Sequence, residues 1–390
     1  MAALALTGAA AAILILRARW QEQYWRVLKT YAAPIMNTAE LEAISVPLGN
    51  FEQSLLPTMT KHGCALVTGV IDESTLRSLE TSFHFDLVSL VDEDAVNNGE
   101  PSMKQLYEKL KTGGVADFPK ENIMSLTGTG LALKRCLSHS KMSWGVRMNL
   151  NVHRAFKALF PHVDGPLVSS LDVPFLSHDL PKGTPPPTTS VMNAHTDQNS
   201  HDARNYLRNC VYYQVILYIW TAEVEDVSTT AIWPGSHANG SHCKLMQDDN
   251  FKEWGSGGEH YCEIGGDMKD KHLARELAVG WAKQVRRVPA PRGKRRISLH
   301  AKPFTAHCAP HVVCFCAGSL FRWDTKTIHT GWLAGSRLAQ AVALALASWR
   351  AESERAARLR LTALGFPSTH WARVGMQHDM VLDDGGIFGA

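Results

Sequence analysis

The chain has 390 residues, 45% of them hydrophobic and 20% charged, with a formal net charge of +3 and eight cysteines. Such a chain buries a substantial core, which excludes a mainly disordered protein, and a charge so near balance does not by itself announce a nucleic-acid binder. The cysteines, at 64, 136, 210, 243, 262, 308, 314 and 316, form no CxxC pair, which excludes the disulfide framework of a small secreted domain.

Scattered thiols of this kind suit an intracellular protein, and the length suits one elaborated domain. The N-terminal segment, 1–40, opens with an apolar run from Ala2 to Leu16, short of the ~18 to 20 residues that a spanning helix needs. Arg17, Arg19, Arg26 and Lys29 follow it, with no acid before Glu22. Residues 1–20 therefore read as an organelle-targeting segment, a weak membrane anchor or an Ala-rich helix.

Residues 41–180 read as a helix-rich part that packs on the core. Within it "HGCALVTGVI" has the β-branched, bounded pattern of a strand, and "DESTLRSLETSFHFDLVSLV" that of a helix capped by Asp72. Residues 92–135 are polar, loop-rich and partly helical, and "NVHRAFKALFP" is a helix ended by Pro161. The Pro-rich "LPKGTPPPTT", 180–189, delivers the chain to a β-rich stretch, 181–350, with a long insert at 238–310 and a C-terminal helix and tail at 351–390. The strands expected there are "CVYYQVILYIW", "TTAIW", "HVVCFCA", "TIHTGW" and "LAQAVALALASW", the last also readable as a helix. Cys314 and Cys316 alternate along the third of these and suit core positions. Several short strands punctuated by Gly and Pro predict a mainly β fold with flanking helices, a sandwich or jelly roll.

Charge is uneven along the insert. Residues 283–296 carry seven basic side chains and no acid, whereas 248–270 carry seven acids. A solvated loop accounts for the basic stretch, and so does a surface for a phosphate-bearing substrate.

With 18 His and 37 acidic residues, chance alone gives about two His-x-acid pairs; three occur. His84 and Asp86 lie on the expected helix, about 200° apart around its axis, and so point to different sides. His162 and Asp164 fall in the turn "PHVDGP", where Asp suits a cap. His195 and Asp197, in "VMNAHTDQNSH", sit where a strand enters a turn. Two His and one carboxylate on one face of ferrous iron leave adjacent positions for a bidentate cosubstrate and dioxygen. "FRWDTKTIHTGW" offers His329 as the third ligand, and Arg337, eight residues later, supplies a guanidinium that pairs bidentately with a carboxylate.

These residues resemble the phytanoyl-CoA dioxygenase-like branch of the Fe(II)/2-oxoglutarate oxygenases over roughly 58–350. "KHGCALVTGVIDESTLRSLE" is similar to that branch's opening, "AHTDQN" to its proximal ligand pair, "AIWPGSH" to its Pro-Gly-Ser-His turn, and "AGSLFRWDTKTIHTGW" to its distal strand pair. The resemblance implies a double-stranded β-helix (jelly-roll) core and iron held by His195, Asp197 and His329. It also implies Arg337 on the C5 carboxylate of 2-oxoglutarate and Gln214 beside the cosubstrate. Tyr212 and Tyr213 either join Gln214 or pack, and Ser236 and His237 fix the turn. Two departures stand out. "STT", 228–230, replaces the Gly pair that usually precedes the turn, and Arg337 follows His329 by a few residues fewer than is usual.

"SHSKMSWGVRMNLNVHRAFKALFPHVDGPLVSSLDVP" is similar to a segment of an algal, fungal and viral subgroup that includes a 5-methylcytosine-modifying DNA dioxygenase using ascorbate. The expected activity is hydroxylation of a small-molecule or lipid-like substrate. The alternatives are oxidation of a DNA base extruded into the pocket, with 283–296 on the backbone, and a jelly-roll protein that binds metal without turnover. A zinc hydrolase stands further off, since it has no use for Arg337.

Overall fold

The computed structural model describes residues 33–89, 98–99, 101–117, 137–177 apart from 163, 193–197, 213–222, 228–238, 262–265, 286–289, 295–296, 314–315, 319–332 apart from 325, 335–346, and a few positions between 356 and 363. Fourteen strands and several helices lie among them.

The N-terminal helices start where their caps dictate. In α1, Thr38–Ile44, Asn37 and Glu40 satisfy each other's backbone N–H groups in a capping box. After β1, Ser45–Pro47, comes α2, Phe51–His62, which stops at Gly63 in the left-handed conformation. β2, Cys64–Thr68, is buried throughout, and α3, Glu73–Ser89, begins after Asp72, whose carboxylate accepts the Thr75 N–H. α4 is Pro101–Thr112. α5, Lys141–Arg147, and α6, Leu150–Lys157, start on Ser140 and Asn149.

Twelve more strands follow. They are β3, Leu167–Ser169; β4, Pro174–Ser177; β5, Asn193–Thr196; β6, Tyr213–Tyr218; β7, Thr229–Ile232; β8, Cys262–Gly265; β9, Arg286–Arg287; β10, Arg295–Arg296; β11, Cys314–Phe315; β12, Leu320–Asp324; β13, His329–Trp332; and β14, Arg337–Leu346. One seven-stranded sheet runs β1-β2-β12-β6-β14-β3, with β4 also on β14, and a five-stranded sheet runs β8-β5-β13-β7-β9. Only the β1–β2 pair in these two sheets is parallel. β5, β6, β7, β12, β13 and β14 fall alternately in the small sheet and the large one.

Side-chain alternation along β6 and β14 shows what covers each face of the large sheet. Val215, Leu217, Leu338 and Val342 pack with Leu55, Leu79, Phe83, Val146 and Phe156 from the helices. Ile216, Tyr218, Ala339 and Ala341 pack with Ile232 of the small sheet and with Val288 just beyond β9. The order is thus helices, large sheet, small sheet. Arg322 of β12 lies on the helix side, wholly buried. Its guanidinium donates to the Ala155 and Val152 carbonyls of α6 and stacks on Phe156, and desolvation pulls its pKa down to about 9.

The expected strands and helices before residue 161 occur close to where the sequence puts them. β14 is a strand of ten residues despite its alanines: small side chains suit a strand buried on both faces, and this packing overrides their helical preference. β1 to β4, all before residue 181, are built into the large sheet, so the chain up to 180 contributes strands as well as helices to the layers around the site. Residues 1–32, most of 238–310 and most of 351–390 lie outside the described residues. Among the described residues no helix is long and apolar enough to cross a membrane.

Candidate metal centre

β5 and β13 are antiparallel neighbours, and His329 stands directly opposite His195. Residues paired in this way point to the same side of the sheet, as do residues two apart on a strand. Asp197, just past the end of β5, therefore turns its carboxylate to the same place. Its Oδ2 is 3.2 Å from His329 Nε2 and its Oδ1 is 3.6 Å from His195 Nε2. One ligand atom from each of the three residues lies within 4.8 Å of the others. Asp197 and His329 are buried, while the His195 side chain stays 29% exposed and forms the accessible side.

The donor set fits a metal. Adjacent donors bound at about 2.1 Å to one ion stand about 3 Å apart, close to the two spacings found. The Nδ1 of His329 lies 3.1 Å from the Thr327 carbonyl, which only accepts. Nδ1 therefore carries the proton, and in the neutral ring Nε2 presents a lone pair toward Asp197.

Arg337, the first residue of β14, is 2% exposed and faces the space between the sheets. Its Nη2 donates to Tyr218 Oη at 3.3 Å and Thr230 Oγ1 at 3.4 Å, and its guanidinium lies over the Phe175 and Tyr218 rings. No carboxylate among the described residues pairs with it, and its Nε is buried without a partner. Desolvation lowers its pKa, opposed by the neighbouring Tyr218. Thr230 lies opposite Gly331, two residues along β13 from His329, a step of about 7 Å on the same face. Gln214 shares the inner face of β6 with Ile216 and Tyr218, and its Oε1 is buried with no hydrogen-bond partner.

Two members of this site are absent from the sequence expectations. Tyr218 is placed by parity: it lies four residues, two same-face steps, beyond Gln214. Thr230 belongs to "STT", the departure from the family pattern, and all three hydroxyls of that stretch are engaged. Ser228 Oγ donates to the Gly335 carbonyl at 2.6 Å, Thr229 to that of Val288 at 2.6 Å, and Thr230 meets Tyr218 Oη at 2.9 Å. Tyr213 instead faces the helices and packs on Phe160; Tyr212 lies outside the described residues.

The other His-x-Asp pairs are engaged elsewhere. Asp86 accepts the Lys141 N–H at the start of α5 at 2.6 Å. Asp164 meets Lys157 at 3.8 Å and its side chain is fully exposed, so it does not cap its turn as expected: the carboxylate points out to solvent, away from the turn's backbone. In the basic stretch, Arg286 pairs with Glu40 at 2.7 Å. Arg287 is buried, donating to the Ala33 carbonyl and lying over Trp332. Cys64 is buried and its thiol is pushed up to about 12, which leaves it inert as a ligand.

No family model and no curated protein matches the chain. Solved structures do. One is the epimerase SnoN in complex with Fe3+, alpha-ketoglutarate and nogalamycin RO, at 13% identity over 75% of this chain and 82% of that one, with a TM-score of 0.38. Another is a hypothetical protein from Escherichia coli, at 12% over 97% and 90%, with a TM-score of 0.46. A third is a putative oxidoreductase from Salmonella typhimurium LT2, at 14% over 94% and 87%, with a TM-score of 0.43. Likenesses this loose bear no weight for the site, whose chemistry rests on its own geometry.

Proposed function

We propose that this chain is a non-haem Fe(II) dioxygenase that uses 2-oxoglutarate to hydroxylate a small-molecule or lipid-like substrate. His195, Asp197 and His329 hold the iron, Arg337 holds the far carboxylate of the cosubstrate, and Gln214 lies beside it. The observation that carries this reading is the buried Arg337 guanidinium, with no carboxylate partner among the described residues, in the same interior as a His–Asp–His cluster. A buried cation calls for an anion, and a dicarboxylate that reaches both groups supplies one. In this reading the sheets are the two halves of a double-stranded β-helix, supported by the way β5, β6, β7, β12, β13 and β14 alternate between them, and the chain is a phytanoyl-CoA dioxygenase-like enzyme.

Ferrous iron, when bound, supplies the activation of dioxygen that oxidises 2-oxoglutarate to succinate and CO2 and leaves the second oxygen atom on the substrate. The protein's part is placement and exclusion. Tyr218 and Thr230 orient Arg337, Thr327 sets the proton of His329, and Ile216 and Ile232 line the interior against water. The partly exposed flank at His195 is the side from which a substrate reaches the centre.

The test is anaerobic addition of Fe(II) and then 2-oxoglutarate to the full chain. A metal-to-ligand charge-transfer band, followed on admission of oxygen by succinate that His195→Ala does not form, is the expected result. Iron binding with no band overturns the 2-oxoglutarate assignment in favour of an ascorbate-type enzyme or a metal-binding protein without turnover.

A further inference from the structure

His329 opens β13, so its aim depends on the residues that lead into it. Three contacts fix them. The Ile328 N–H donates to Ser236 Oγ at 2.8 Å, the Thr327 hydroxyl to the Gly63 carbonyl at 2.9 Å, and His329 Nδ1 to the Thr327 carbonyl at 3.1 Å. Thr327 and Ile328 are fully buried and Ser236 nearly so.

Ser236 is itself held from two sides. The Trp233 N–H donates to the Ile328 carbonyl at 3.0 Å, which closes the turn against the strand. The Gly235 N–H donates to the His62 carbonyl at 2.7 Å, and His237 Nε2 to that of Thr60 at 3.1 Å. The carbonyls of Thr60, His62 and Gly63, at the end of α2, thus collect donors from both the turn and the approach to His329. Such carbonyls lack partners within their own helix.

We infer that Ser236 and Thr327 are positioning residues for the metal. Through the end of α2 they fix the backbone ahead of His329, and with it the carbonyl that keeps the proton on Nδ1 and Nε2 aimed at Asp197. The inference rests on reading the triad as a metal centre. A ligand released from such a hold turns and costs affinity, typically about 10- to 100-fold, whereas a bond with only a structural role costs stability alone. Ser170 gives the measure of the latter: it is buried and accepts the Ala343 N–H at 2.9 Å, on the far part of β14.

The experiment titrates the metal-free full chain with Co(II), whose visible absorption reports coordination geometry, and records Tm for each variant. Ser236→Ala and Ser170→Ala are expected to lower Tm alike, with Ser236→Ala alone weakening Co(II) by about 10- to 100-fold and altering its spectrum. Thr327→Val is expected to do the same and Thr327→Ser, which keeps the hydroxyl, to bind as wild type; this pair decides the matter where Ser236→Ala fails to fold. Wild-type affinity and spectrum in both Ser236→Ala and Thr327→Val overturn the positioning role and leave the metal centre standing. A wild type that takes up no Co(II) overturns both.

Discussion

His195 and His329 face each other across β5 and β13, ring centroids 4.4 Å apart, with the Asp197 carboxylate reaching both Nε2 atoms. Three donors on one ion act as a unit, so their losses should not add. His195→Ala and His329→Ala are each expected to lower Fe(II) affinity by more than about 100-fold, roughly 3 kcal/mol, and the double variant little further. Anaerobic equilibrium dialysis measures this. Two independent, additive losses would mean that the histidines do not share an ion.

Arg337 separates function from stability. Its buried guanidinium has two long bonds to Tyr218 and Thr230, the Phe175 and Tyr218 rings beside it and no carboxylate partner among the described residues, so without ligand its desolvation is only partly offset. Arg337→Met is expected to leave the Tm of the ligand-free protein unchanged or raised. It should also weaken 2-oxoglutarate by about 2 to 5 kcal/mol, since the cosubstrate carboxylate loses its charged partner. Calorimetric titration with the metal bound, beside a thermal melt without ligand, reads both. A large fall in Tm with cosubstrate affinity intact would make Arg337 structural.

That His195, Asp197 and His329 come together was legible because motif and flanks agreed: a strand entering a turn, then "WPGSH", then a second strand with a histidine and an arginine. Arg337 was offered by its place eight residues after His329, as a guanidinium for a carboxylate, whereas Gln214 came only through the family likeness. Tyr218 was hidden in an apolar run where a tyrosine reads as packing, and only the two-residue period from Gln214 reveals that it faces inward. Thr230 stood in the open as a departure from pattern. Of the three hydroxyls that replace the glycine pair, Thr230 meets Arg337 and Tyr218, while Ser228 and Thr229 donate to the Gly335 and Val288 carbonyls. The engagement of Arg286 with Glu40 could not be read at all, because the partners are 246 residues apart and no local rule joins them.

Asp72 and Asp86 both serve helix starts, yet they should shift stability with pH in opposite senses. The Ser74 hydroxyl, then the Thr75 N–H and hydroxyl, hold the Asp72 carboxyl at about 2, against an ordinary 3.8. Its stabilisation is complete above 3.8 and is lost as pH falls through about 2. Burial raises Asp86 above 3.8, only partly offset by the Lys141 N–H it accepts. The folded state therefore favours its protonated form, and that contribution, full below 3.8, is lost as pH rises through the raised value. The advantage of wild type over Asp72→Ala should shrink toward pH 2, while the comparison with Asp86→Asn should move against wild type as pH climbs from 3.8. Urea midpoints between about pH 2 and pH 7 check both; parallel trends would contradict the assignment.

Gly63 and Gly235 both take left-handed backbone, at φ of 70° and 78°, so alanine at either should cost about 1 to 2 kcal/mol from conformation alone. Their surroundings differ. A Cβ on Gly235 meets open space, whereas one on Gly63 runs into His237 Nδ1 and Thr327 Oγ1. Gly63→Ala must displace the threonine whose carbonyl holds His329, or break the bond from its hydroxyl to the Gly63 carbonyl. It is expected to be the more destabilising of the two by at least about 1 kcal/mol and to weaken metal binding, with Gly235→Ala near wild type in affinity. Urea unfolding gives the first comparison and Co(II) titration the second. Equal stability losses together with equal affinities would show that the close approach at Gly63 transmits nothing to the metal centre.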